Sequence, residues 1–539
     1  MRQSYLKNAM LMTGADVLLR LAGMGLRIYL ANVLGGEGMG LYQLVLAVYS
    51  LFVTLATAGV SVAATRLMAE ELSRSPAQAR GMLIRLLAAG LGLGAAAMAA
   101  QAGLSGLAAR WWLGDLRAAG PLRASAFGLP WMAVSAVLRG FFIARRRVEP
   151  NVLSQLVEQT VRVGIIFFAL EQVQFLDAGE KCSVVMTATA VSEAASAGIL
   201  LLLYRADAAA CFGGKKAERP QEPARRLWEI LWPVEGGRCL SSALHTAENM
   251  LVPACLAVRL TAAGLGGREE AVTQYGNLKG MALPLLTFPF SLLGSLGVLL
   301  MPEITQAHIR GETFRLRGLI DRMLRLTGYF STLAGAAFWV WGRPLARTLY
   351  RSEEAGIYLE ILGPALPLLC LESMVDGAMK GIGEQKAVFR YSIWDSVLRI
   401  AGVLLLLPRF GMKGFLFVIL LSSCYTCLAN TGRLLRCCGM KPEPLRWMGT
   451  PAVAAALSAG VGVLLRRGLS GLLEGDLPGQ LCALAVGGAG MTAVYFAAGW
   501  PLGLGEEIRL ALAGRERPEN RNQRKNPGNA ECSGHRERN

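Results

Sequence analysis

About fourteen apolar stretches follow one another along the chain, each long enough to cross a bilayer, and several carry charged side chains far from either end. They lie near 10–32, 41–64, 86–107, 119–138, 152–170, 183–203, 230–257, 274–301, 326–342, 356–379, 391–408, 414–432, 448–465 and 479–503. Runs of this length without two-residue alternation satisfy their backbone groups as helices, not as the strands of a barrel. With 53% hydrophobic and 17% charged residues the chain lacks the polar surface of a soluble protein of its length, and its 63 glycines suit helices in close approach. The fold class expected is an all-α polytopic membrane protein of about 14 transmembrane helices. A charge at the bilayer centre costs about 2.5–3.5 kcal/mol on insertion scales, so it is seldom kept without a task. The charges point to a polar interior and hence to a transporter.

The net charge of +17 does not indicate nucleic acid, because of where it falls. With the N-terminus on the cytoplasmic side and alternate connections on opposite faces, about 36 Lys and Arg lie inside and about 12 outside. Arg145-Arg146-Arg147, Lys215-Lys216, Arg225-Arg226 and Arg315/Arg317 all sort inward. The bias supports an even number of spans and both termini in the cytoplasm of a bacterium. Met1 to Asn8 leads into the first span with no cleavage site, so that span is expected to be an anchor. The eleven cysteines are scattered; Cys424 and Cys427 form a CxxC inside an apolar span, where packing is the expected role, and Cys437-Cys438 at a helix end is a lipidation candidate beside the plainer reading of free thiols.

The organisation expected is an N-lobe over 1–204 (spans one to six), a cytoplasmic linker over 205–228, a C-lobe over 229–436 (spans seven to twelve), spans thirteen and fourteen over 437–513, and a disordered cytoplasmic tail over 514–539. A faint repeat supports two six-span halves. Tyr42 precedes Glu70 by 28 positions, as Tyr275 precedes Glu303; Glu158 precedes Arg162 by four, as Asp395 precedes Arg399. Six is even, so the halves enter the membrane in the same sense, with a symmetry axis along the membrane normal and a substrate site between them. The last two spans are expected to be peripheral.

Candidate binding residues follow from charge and helical spacing. Glu158/Arg162 and Asp395/Arg399 each put acid before base at i,i+4, the favourable order for a pair that either locks helices or opens to an anion. Asp16, Arg20 and Arg27 form one stripe on the first span; two guanidinium groups there suit a phosphate or diphosphate, while Arg27 near the interface has snorkelling as its plainer role. The seventh span carries Glu235, Arg238, His245 and Glu248, expected as a hydrogen-bonded polar face and not a metal site. Lys279 on the eighth span precedes Pro284 and Pro289, which can bend it. In the tenth span Glu372, Asp376 and Lys380 are spaced by four, Glu372 being deepest. No Walker A, HExxH or nucleophile elbow occurs, so no enzymatic activity, cofactor or metal is expected.

Three stretches carry a resemblance. RGFFIARRRVEPNVLSQLVEQTVRVG (Arg139 to Gly164), ANVLGGEGMGLYQLVLAVYSLFVTLATAGVSVAATRLMAE (Ala31 to Glu70) and YGNLKGMALPLLTFP (Tyr275 to Pro289) resemble the stage V sporulation protein B-like family of polysaccharide exporters. That family lies within the multidrug/oligosaccharidyl-lipid/polysaccharide exporter superfamily; the match after span ten (KGIGEQKAVFRYSIWDSVLRIAG) is looser. The resemblance implies two lobes around a central cavity of alternating access, and a polyprenyl-pyrophosphate-linked saccharide as cargo, such as the peptidoglycan precursor lipid II. Its partners are then the anionic lipid-linked saccharide, membrane lipids and, as further candidates, cell-wall synthesis proteins; its setting is the cytoplasmic membrane and its context wall or spore synthesis. Three rival readings stand beside it: a cation-coupled drug or metabolite antiporter of the same architecture, a membrane-embedded glycosyltransferase on the same carrier, and a non-transporting scaffold. The first predicts an acid-dominated cavity; the second needs a long catalytic loop, whereas the external connections are about 6–20 residues.

Overall fold

A computed structural model describes residues 2–173, 175–212 and 223–505, and every element among them is helical. In order these are α1 (Arg2–Arg74), α2 (Pro76–Leu107), α3 (Ala119–Ala126), α4 (Leu129–Ala144), α5 (Glu149–Gln172), α6 (Ala178–Phe212), α7 (Pro223–Ala262), α8 (Arg268–Tyr275), α9 (Leu283–Ile309), α10 (Thr313–Tyr350), α11 (Glu353–Leu362), α12 (Leu366–Gly381), α13 (Gln385–Phe410), α14 (Met412–Cys438), α15 (Thr450–Gly468), α16 (Ser470–Leu473) and α17 (Leu477–Gly499). Each expected apolar stretch falls on helix. By length and composition eight of the described helices can cross a membrane, or nine when the α3–α4 pair, bent by 40°, counts as one span. The first two expected spans are not separated by a loop. They are two arms of α1, broken at Gly35, whose φ of 68° is open to glycine at little cost. Helix also runs into the expected linker from both sides, since α6 ends at Phe212 and α7 begins at Pro223. The residues between, and the expected tail over 514–539, lie outside the described residues.

The chain forms two compact units interleaved along the sequence. The first comprises Met1–Leu292, Gly342–Leu362 and Phe389–Thr426; the second comprises Leu293–Trp341, Gly363–Val388 and Cys427–Asn539.

In the first unit, the second arm of α1 packs with α2, α4 and α6 around Leu67, Met68, Leu83, Leu86, Val137, Phe141, Phe142 and Phe212, all buried. Phe141 sits edge-on to Phe142 and to Tyr204, so aromatic contacts join α4 to α6. The same arm crosses α8 and the π-helical turn Gly276–Ala282 through glycines. A methyl group on Gly40 would stand 2.0 Å from the Val272 carbonyl oxygen, and one on Gly276 would stand 2.0 Å from that of Gly36. Backbones this close exclude any side chain, and Gly36/Gly40 facing Gly276 is the small-residue crossing common between membrane helices. The π turn ends where Pro284 withholds a backbone N–H from the helical ladder.

In the second unit, α15 and α17 pack on each other and on the α10 portion of that unit. Ser458 Oγ donates to the Met491 carbonyl at 2.7 Å, Tyr495 donates to the Tyr329 carbonyl at 2.7 Å, and Arg466 donates to the Val340 carbonyl at 2.7 Å. Trp447 Nε1 donates to Asp321 Oδ1 at 2.7 Å, and Trp341 fills the space left by Gly487. The last two spans are thus seated by hydrogen bonds to backbone carbonyls as well as by apolar packing.

Candidate substrate site

The two acid–base pairs read from the repeat both form, and each recruits a serine from the following helix. On α5, Arg162 Nη2 bonds Glu158 Oε1 at 2.8 Å, while its Nε donates to Ser192 Oγ on α6 at 3.3 Å. On α13, Arg399 Nε bonds Asp395 Oδ2 at 3.0 Å and also donates to Ser422 Oγ on α14 at 2.6 Å, and Ser422 in turn donates to Asp395 Oδ1. A helical i,i+4 pair therefore meets the hydroxyl of a neighbouring helix in both places.

Around the α5 pair the network is tight. Arg139 on α4 bonds Glu158 Oε2 at 2.9 Å and Ser196 Oγ at 3.0 Å, and Arg162 Nη2 reaches Glu193 Oε1 on α6 at 3.4 Å. Ser192 and Ser196 are fully buried and Glu193 is 6% exposed. Two guanidinium groups thus meet two carboxylates, and the small residues of α6 around Ser196 let α5 approach closely enough for the pairing. The second arm of α1 lines this cluster with Tyr42 and Tyr49. Arg27 and Arg162 are both within electrostatic reach of the Tyr42 hydroxyl, and Arg27 is also within reach of Tyr350 at the end of α10. The first arm of α1 is held against α5 by Tyr29 stacked on Phe167 at 4.0 Å.

Around the α13 pair the network is looser. Thr246 Oγ1 donates to the Ala47 carbonyl at 3.0 Å and Thr54 donates to Ser242 Oγ at 3.3 Å, fixing α7 on the second arm of α1. Glu248 of α7 then lies among cations: Lys279 Nζ, carried by the π turn, is 4.0 Å from its Oε1, and Arg399 Nη1 is 3.7 Å from the same oxygen. His245 Nδ1 is 3.8 Å from Oε2. The Glu248 side chain is 3% exposed, yet Oε1 accepts no hydrogen bond. The Phe415 ring lies 5.8 Å from the Lys279 ammonium.

Of the residues singled out in the sequence, Arg27, Glu158 and Arg162 gather at the first cluster, and His245, Glu248, Lys279, Asp395 and Arg399 at the second. Asp16, Arg20 and Arg238 are exposed on α1 and α7. Glu372 is half-buried on α12 in the second unit, and the Glu235 side chain lies outside the described residues. Sequence reasoning passed over Arg139, Glu193 and the serines. Glu193 carried a signal, as a carboxylate in mid-span; Arg139 did not, because it follows span four and reads with the basic residues of the next connection. Among the described residues no group of three or more His, Cys, Asp or Glu side chains is gathered as for a metal ion. The cysteines described, Cys424 and Cys427 among them, are free thiols.

Residues 5–253 match the model of the polysaccharide biosynthesis protein family. The chain is 25% identical over 432 residues to stage V sporulation protein B of Bacillus subtilis (strain 168), a match covering 77% of this chain and 80% of that protein. It is 22% identical over 378 residues to sporulation protein YkvU of the same organism, covering 69% and 81%. Among solved structures, the lipid II flippase MurJ in an inward closed conformation superposes with a TM-score of 0.69 at 11% identity, covering 91% of this chain and 98% of that one. An inward-facing multidrug resistance MATE family transporter of the MOP superfamily superposes with a TM-score of 0.63 at 15% identity, covering 78% and 98%. The chain is thus a multi-pass membrane protein with the fold of this flippase and exporter superfamily. Its first half, residues 5–253, is similar to the polysaccharide biosynthesis protein family, and the solved structures that share its fold are a flippase and a transporter.

Proposed function

We propose that the protein is a flippase for a polyprenyl-diphosphate-linked saccharide, with lipid II as the leading cargo, in the cytoplasmic membrane of a bacterium. The observation that carries this reading is the set of cations on the membrane helices, Arg27, Lys279 and Arg399, placed in one unit of a chain whose relatives are named for sporulation and whose residues 5–253 match a polysaccharide biosynthesis family. Guanidinium and ammonium groups away from bulk water recognise phosphate oxygens strongly, guanidinium bidentately. The lipid tail stays in the bilayer while two six-span lobes rock about the headgroup, with Arg20 and Arg238 as the exposed cations that first meet it. The membrane potential then acts on any net charge moved, at about 2.3 kcal/mol per charge per 100 mV.

Headgroup accessibility tests the reading. In cells depleted of their own flippases, an externally added enzyme that cleaves the lipid-linked precursor should cut it only when this protein is expressed. Cation-driven dye export from proteoliposomes without headgroup movement would support the antiporter reading instead.

A further inference from the structure

The two clusters hold their acids in different ways, and the difference assigns Glu248 a task. Resting on the flippase reading, we infer that Glu248 is a built-in carboxylate occupant of the substrate's anion site: together with Asp395 it balances Lys279 and Arg399 while the site is empty, and it yields the two cations to a diphosphate.

Three features carry the inference. First, a charge-assisted hydrogen bond from nitrogen to a carboxylate spans about 2.7–2.9 Å, as in the Arg162–Glu158 pair at 2.8 Å. Glu248 Oε1 sits 3.7 Å from Arg399 and 4.0 Å from Lys279 and accepts no hydrogen bond, so it leaves without breaking one. Second, Glu248 is 3% exposed, and a carboxylate buried that deeply needs cations beside it; with Glu248 withdrawn, Lys279 and Arg399 carry one positive charge more than Asp395 balances. Third, Arg399 is anchored separately. Its Nε is held by Asp395 and Ser422, so losing Glu248 does not release the guanidinium.

Lys279 and Arg399 approach one and the same oxygen, close enough together for a single phosphate or diphosphate group to bridge them. A monoanion would only replace the charge that Glu248 already supplies. A diphosphate brings more negative charge and several acceptor oxygens, so the occupant sets a threshold that favours it, a form of selection by competition. The groups facing Glu248 are His245 from α7, Tyr275 from α8, Lys279 from the π turn and Arg399 from α13, with Asp395 of α13 beside His245.

The test uses full-length protein in detergent with farnesyl diphosphate and farnesyl monophosphate as probes. Glu248→Gln removes the competing charge and keeps the shape. Farnesyl diphosphate should bind about tenfold tighter than to the wild type, the gain expected if the occupied state holds about nine-tenths of the empty protein. The monophosphate should also gain, narrowing discrimination between the two probes. Binding that is unchanged or weaker in a variant of unaltered thermal midpoint overturns the inference. Should Glu248→Gln fail to fold, Glu248→Asp withdraws the carboxylate by one methylene and should give a smaller gain; no gain there is equally contrary. The headgroup assay in wild-type cells is independent: if it succeeds while Glu248→Gln binds no tighter, only this inference falls, and if it fails while the variant binds tighter, only the flippase reading falls.

Discussion

The α5 and α13 clusters are built on one plan and end in different states. Each has an acid and an arginine one helical turn apart, and each arginine reaches a serine on the next helix: Ser192 for Arg162, Ser422 for Arg399. The α5 cluster then adds Arg139 and Glu193 and tightens, with Glu158 bound at 2.8 and 2.9 Å and Glu193 reached at 3.4 Å. The α13 cluster instead meets Glu248 and Lys279 and remains slack, with contacts of 3.7–4.0 Å. Tight pairs between helices fix their packing; slack pairs around a buried charge can be traded for another ligand. The comparison teaches that one motif supplies a lock in one place and a replaceable contact in the other.

The sharpest way to break this comparison is to delete a cation from each cluster. Arg162→Ala leaves Glu158 and Glu193 with half their compensation and should destabilise the protein by about 3 kcal/mol, the cost of removing one partner of a buried pair. Lys279→Ala removes a 4.0 Å contact and an ammonium beside the Phe415 ring while Arg399 stays at 3.7 Å from Glu248, so it should shift the thermal midpoint less, while lowering headgroup movement about tenfold or more. Equal destabilisation by both would erase the distinction. A smaller contrast lies in the serines. Ser422→Ala takes away a hydroxyl that bonds both Arg399 and Asp395 and should cost about 1–2 kcal/mol, whereas Ser192→Ala removes a single 3.3 Å bond and should cost about 0.5 kcal/mol, both read from denaturation in the same detergent.

Much of this was legible in the sequence, for identifiable reasons. Apolar length dictates spanning helices, so all fourteen stretches emerge as helix. The Glu158/Arg162 and Asp395/Arg399 pairs were readable because i,i+4 spacing is a local property that tertiary structure need not supply. The relation of Ser192 to Ser422, 230 positions apart where the pairs are 237 apart, was not readable. A serine within an apolar run announces nothing until a neighbouring helix brings an arginine to it. Arg139 was hidden by its place just past the end of the apolar stretch 119–138, although α4 continues through it to Ala144. The sequence placed a connection between the spans near 10–32 and 41–64, but not that a single φ of 68° at Gly35 replaces the loop within one continuous helix. The slackness around Glu248 depends on the π turn and on how α7 sits against α1, and no spacing rule encodes a distance of 4.0 Å.

The central claim is that cations held in the membrane helices carry a diphosphate headgroup across. Its most direct test is headgroup accessibility in flippase-depleted cells expressing the wild type, Arg27→Ala or Lys279→Gln at matched membrane abundance. External cleavage of the lipid-linked precursor should be restored by the wild type and be lost or strongly reduced with either variant. Full cleavage with both variants would contradict the account.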